Sequence, residues 1–152
     1  HWKTEFLQKE SIKKALTHLQ PHDLCYIGDV DEIWDYETVL YTLPCKLKLR
    51  VYAYFLDNSS SEEFWGTLIA PYDKIKDACL NHLRQNAPKT DFYGGWHFTS
   101  QGGVNEVKRK LNSSYTTESY NTHEVQYRLP ERVRMGVDYL GRNFTFKVDE
   151  SQ

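Results

Sequence analysis

The stretch LCYIGDVDEIWDY, residues 24–36, decides the fold: an apolar run of strand length passes through Gly28 into three carboxylates, Asp29, Asp31 and Glu32. A short, nearly continuous apolar run is the pattern of a strand covered on both faces, so residues 24–28 are expected at the centre of an α/β sheet. In open sheets of that class, ligands bind beyond the carboxyl ends of the strands, which is where GDVDE lies. Asp29 and Asp31, one residue apart in extended backbone, can turn to one ion, and hard carboxylate oxygens select Mg²⁺ or Mn²⁺, which then bridge phosphate oxygens. Three carboxylates this close repel one another, and a cation would supply the missing positive charge.

The flanking sequence alternates helices with strands. WKTEFLQKESIKKALTHL spaces Phe6, Leu7, Ile12, Ala15, Leu16 and Leu19 for an amphipathic helix over residues 3–19. In KLKLRVYAYFLD the alternation predicts a strand over 46–56, with Leu47, Leu49, Val51, Ala53 and Phe55 inward and Lys46, Lys48, Arg50, Tyr52 and Tyr54 outward. FWGTLIA, 64–70, returns as a strand beside it. Ile75, Ala78, Cys79, His82 and Leu83 then predict a helix from Tyr72 to Gln85. FYGGWHFTS predicts another strand, 104–111 and 123–135 two more helices, and 143–148 a last strand. At 152 residues the expectation is one domain of mixed α/β class.

Composition excludes several functions. With 21 acidic and 19 basic residues the net charge is −2, which leaves no surplus for binding a polyanion, so nucleic acid is not an expected partner. No apolar stretch approaches the ~20 residues that span a bilayer, and a soluble chain is expected. Eleven Tyr and four Trp are an aromatic surplus that suits either a site for flat or sugar-like ligands or simple core filling. Cys25, Cys45 and Cys79 are widely spaced in apolar surroundings and are expected to be free, buried thiols, which favours a reducing, cytoplasmic setting. The sequons at Asn58, Asn112 and Asn143 keep a secretory lumen such as the Golgi as the alternative.

An apolar strand running into Asp-x-Asp is common to two enzyme classes. Phosphatases of the haloacid dehalogenase type use the first Asp as nucleophile and the second as acid/base, with further acidic residues on another strand end. This chain offers Glu32, Ile33 and Trp34 after the motif and no later Asp-Asp. The other class is the nucleotide-sugar glycosyltransferases. GDVDEI at 28–33, with Trp2 and Glu5 upstream, GGWHFTSQGG at 94–103 and GVDYLGRNFTF at 136–146 together resemble glycosyltransferase family 17, the β-1,4-mannosyl-glycoprotein 4-β-N-acetylglucosaminyltransferases.

The resemblance implies a GT-A-like mixed sheet flanked by helices and an inverting, metal-dependent transfer of a sugar, N-acetylglucosamine above all, from a nucleotide sugar to a glycan acceptor. It implies Mn²⁺ or Mg²⁺, with Asp29, Asp31 and His97 as metal residues. Glu32 would orient the donor sugar or support the site. Gly94 and Gly95 would let backbone approach the ligand, Trp96 would stack on a sugar, and His97 would complete the metal shell or bind phosphate. Glu118, Glu106 and Asp138 are the candidate catalytic bases. Two departures stand out: SYTTESYN at 114–121 lacks the His of the family's Ser-His-x-Glu-like stretch and displaces its Glu, and only one helix precedes Leu24 where a GT-A fold carries a nucleotide-binding βαβα unit. A chain lacking most of that unit would expose apolar surface beside a central strand and self-associate or recruit a complementing chain. The competing expectation is a truncated, non-catalytic glycan-binding module.

Overall fold

The structure is a computed structural model, and it describes residues 2–113 and 119–148. The helices are α1 (Trp2–Ser11, continued as a 3₁₀ turn over Ile12–Ala15), α2 (Tyr72–Ile75), α3 (Leu80–Asn86), α4 (Gly103–Ser113) and α5 (His123–Met135). The strands are β1 (Leu24–Ile27), β2 (Glu32–Trp34), β3 (Cys45–Ala53), β4 (Asn58–Ser60), β5 (Phe64–Pro71), β6 (Lys89–Thr99) and β7 (Phe146–Val148). The class is mixed α/β, as the alternation predicts. The sheet order is β1-β5-β3-β4-β7, with β6 beside β3 and β2 beside β6.

This order corrects the expectation for residues 24–28. β1 is terminal and pairs antiparallel with β5, Cys25 opposite Ala70 and Ile27 opposite Leu68. β3 is interior, and part of its supposed outer face is covered too, although Arg50 stays exposed. Lys46 is buried and donates from Nζ to the Gln85 carbonyl at 2.9 Å; burial, then Lys89 and Arg84, push its pKa down. Tyr52 is buried with its ring 5.5 Å from that of Phe98. Alternation fails at the strand's end, where Tyr54 takes φ 69° and turns fully inward while Phe55 is left half exposed.

The described chain forms two compact units, His1–Leu49 with Trp65–Gly95, and Arg50–Phe64 with Trp96–Gln152. The first has a core of Cys25, Ile27, Leu68, Ala70, Ile75, Leu80 and Ala87, with Leu16 and Leu19 packed against it. Its helical stretch after Pro71 is broken, correcting the single helix expected over 72–85. Cys79 is extended, with φ −75° and ψ 113°, and has no side-chain cap; Glu10 of α1 accepts the Asn81 N–H at 3.0 Å, and Lys13 Nζ donates to the Ala78 carbonyl at 2.8 Å. The capping group that α3 needs thus comes from α1. Phe6 and Leu7 remain exposed, so α1 docks by polar bonds more than by the apolar stripe its sequence suggests. Cys79 is exposed as well, unlike Cys25 and Cys45.

The second unit packs Ala53, Tyr54, Val107, Leu111, Leu129, Val133, Tyr139 and Phe146 together. The Tyr54 hydroxyl, fully buried, donates to the Val137 carbonyl at 2.8 Å and accepts the Tyr139 N–H at 2.9 Å, fixing the turn after α5. Thr122 Oγ1 caps α5 through the Val125 N–H, and Gly136, at φ 62°, ends it. Among the described residues no helix is long and apolar enough to cross a membrane.

Candidate functional site

β1 delivers the acidic stretch into a tight turn in which the Glu32 N–H donates to the Asp29 carbonyl at 3.0 Å. The turn leaves Val30 fully exposed and the three carboxylates unequally buried. Asp29 is exposed, Asp31 is intermediate, and Glu32 points inward with no side-chain exposure. Glu32 Oε2 accepts the Thr67 hydroxyl at 2.9 Å, and its Oε1 lies 3.5 Å from Arg84 NH2. The carboxylate fits because Gly28 and Gly66 flank it: a Cβ at either position would stand 2.6 Å from its oxygens.

Arg84, from α3, joins the two ends of the turn. Its NH1 is 3.1 Å from Asp29 Oδ1, and its NH2 reaches both Asp29 Oδ2 and Glu32 Oε1 at 3.5 Å. The side chain of Arg84 is 15% exposed and that of Asp29 53%, so the guanidinium is anchored on its buried arm and open on the other. Positive charge at the acidic knot therefore comes from the chain itself. Sequence reading missed Arg84: it lies in an ordinary helical segment, and only the fold brings it to Asp29.

The other site candidates are engaged elsewhere. Among the described residues, no group of three or more His, Cys, Asp or Glu side chains is placed to hold one ion. Asp29 and Asp31 belong to the first unit, while His97 belongs to the second, its ring stacked on Phe64 at 4.3 Å. Gly94 and Gly95 are buried, and what approaches them is the chain's own structure. The Gly94 carbonyl accepts the Asp35 N–H at 2.9 Å, and a Cβ on Gly95 would lie 2.2 Å from the Ile33 carbonyl oxygen. Trp96 is half buried.

Of the three candidate bases, Glu106 is a surface carboxylate paired with Arg109 Nε at 2.6 Å. Asp138 is buried and fully committed: it accepts the N–H groups of Leu140 and Arg142 and the Arg142 guanidinium, the latter at 2.7 Å. Glu118 lies outside the described residues. The second unit also holds a carboxylate that sequence reading passed over. Burial pushes the Glu62 carboxyl above its ordinary range, against the opposing pull of Arg142 and His97. It follows the loop-like SSS run, where nothing in the sequence signals burial.

Two carboxylates behind a strand end are too few for an all-protein cage. Mg²⁺ and Mn²⁺ are commonly bound by one or two carboxylates, with water and substrate phosphate as the remaining ligands. No family model, curated protein or solved structure matches the chain.

Proposed function

We propose that the chain is the Asp-x-Asp-bearing part of a metal-dependent, inverting glycosyltransferase that moves a sugar, N-acetylglucosamine by the motif resemblance, from a nucleotide donor to a glycan. The observation that carries this reading is the geometry at the end of β1: Asp29 and Asp31 stay accessible while Glu32 is consumed as internal support. Asp29 and Asp31 are the residues that would hold Mn²⁺ or Mg²⁺, and the cation when bound neutralises charge on the departing nucleoside diphosphate. Asp29 is aimed by Arg84, and Arg84 is aimed by Glu32. Thr67 fixes Glu32 in turn, so the accessible carboxylate is backed by a chain of contacts running into the sheet. Trp96 is assigned to sugar stacking, and His97 to the metal shell or phosphate, by resemblance alone, and the base is left unassigned because Glu106 and Asp138 already have partners.

Transfer from UDP-N-acetylglucosamine to glycopeptide and free-glycan acceptors, with donor hydrolysis followed in parallel, tests the proposal. Asp31→Asn should abolish both activities and leave the unfolding midpoint unchanged. Full activity in that variant would remove the metal role. Glycan binding without turnover in the natural chain would favour the non-catalytic module instead.

A further inference from the structure

Arg84 is held unequally by its two carboxylates. Its inner partner, Glu32, is fully buried, bonded to Thr67 and packed between Gly28 and Gly66. Its outer partner, Asp29, is more than half exposed, and solvent screens that pair. A perturbation at the turn therefore breaks the outer contact first and leaves the guanidinium tethered in place. Arg also presents five donors in a planar fork that suits two anionic oxygens at once, so contacts released from a carboxylate can pass to a phosphate without moving the side chain far.

We infer that Arg84 is an exchangeable counter-ion: it neutralises Asp29 in the free protein, and when a divalent cation takes Asp29 it turns its freed donors to the diphosphate that arrives with the metal. The inference rests on the reading of Asp29 and Asp31 as the cation site. It gives Arg84 two opposite effects. It competes with the metal when no nucleotide is present, and it strengthens nucleotide binding once the metal is in place. A purely structural arginine would have no reason to act with opposite sign on the two ligands.

The test measures Mn²⁺ binding alone, by the electron paramagnetic resonance of free Mn²⁺, and then UDP binding at saturating Mn²⁺, on the natural chain, Arg84→Gln, Arg84→Lys and Asp31→Asn. Removing the positive charge in Arg84→Gln should tighten Mn²⁺ alone by about fivefold and weaken UDP by about tenfold. Arg84→Lys, which keeps the charge but not the fork, should restore the weaker Mn²⁺ affinity and recover UDP binding only in part. The double variant Glu32→Gln/Arg84→Gln removes the buried carboxylate's charge together with its partner, so the comparison survives if a stranded Glu32 unfolds the single variant. Unchanged affinities in Arg84→Gln and the double variant, or a shift of both ligands in the same direction, overturn the inference. Asp31→Asn separates the two levels. If it weakens Mn²⁺ while loss of Arg84 does nothing, the inference alone falls; if it leaves Mn²⁺ binding intact, or the natural chain binds no Mn²⁺, the cation site falls and the inference with it.

Discussion

Replacing Glu32 tests whether the third carboxylate of the acidic stretch is internal support, as its burial indicates, or a ligand-facing group. In Glu32→Ala the Thr67 hydroxyl, itself fully buried, loses its acceptor, and the inner arm of Arg84 loses its counter-charge. A stranded buried hydroxyl costs about 1–3 kcal/mol and a lost charge-assisted bond about 1.5–3 kcal/mol. Arg84 keeps Asp29 and some solvent, which holds the total to about 3 kcal/mol, well short of a fully uncompensated buried ion. Glu32→Gln keeps the volume and an acceptor for Thr67, and should cost about 1 kcal/mol. Urea unfolding followed by tryptophan fluorescence reads both.

The same packing supplies a cross-check. Gly66→Ala drives a methyl to within 2.6 Å of the Glu32 carboxylate and should cost about 2 kcal/mol in the natural chain. In the Glu32→Ala background that penalty should shrink by about 1 kcal/mol or more, because the atoms it meets are gone. A Glu32→Ala variant within about 0.5 kcal/mol of the natural chain, or strict additivity with Gly66→Ala, would refute the reasoning.

Other perturbations have equally definite outcomes. Gly95→Ala places a Cβ 2.2 Å from the Ile33 carbonyl oxygen and 2.8 Å from the Trp34 Cα, so β2 and β6 must separate; a loss of about 2–3 kcal/mol in chemical denaturation is expected. Tyr54→Phe removes one donor and one acceptor from the turn after α5 and should cost about 1–3 kcal/mol, with amide exchange at Tyr139 quickened. Burial opposes ionisation of Glu10, but hydrogen bonds from Asn81, Lys13 and Cys79 outweigh it and hold the carboxyl at about 2, against an ordinary 4.5. The folded pKa is depressed, so the stabilisation is complete above pH 4.5 and is lost as pH falls from there towards 2. A Glu10→Gln variant should be less stable than the natural chain by about 1–2 kcal/mol at pH 6, with the gap closing at acid pH in parallel denaturation curves.

What could be read from sequence was whatever depends on near neighbours. The helices expected over 104–111 and 123–135, and the strands expected over 24–28, 64–70 and in FYGGWHFTS, all follow from spacing and turn chemistry within a few residues. What escaped depends on contacts made across the chain. The break between α2 and α3 is invisible without Glu10, 71 residues away from the N–H it caps. Tyr54 continues the strand's alternation on paper, but its buried hydroxyl has partners more than 80 residues away, at Val137 and Tyr139. An apolar run marks β1 as a strand but not as terminal: only Cys25 and Ile27 are buried, Leu24 stays exposed, and Leu16 and Leu19 pack against the cluster that holds the buried pair.

At the site, the position of Asp29 and Asp31 past a strand end was legible, since it follows from the strand alone. The division of labour among the three carboxylates was not. Glu32 turns inward because a single backbone bond, from its N–H to the Asp29 carbonyl, closes the turn, and because Thr67, Arg84 and two glycines receive it. The glycine pair at 94–95 invited a ligand reading, yet the close approach it permits is strand against strand.

The most direct test of the central claim is calorimetric titration of UDP and UDP-N-acetylglucosamine into the 152-residue chain, with Mn²⁺ and with a chelator, repeated on Asp29→Asn and Asp31→Asn. The account predicts binding that requires Mn²⁺ and is lost in Asp31→Asn. Binding that survives the chelator and both substitutions, or no binding by the natural chain with Mn²⁺ present, would contradict it.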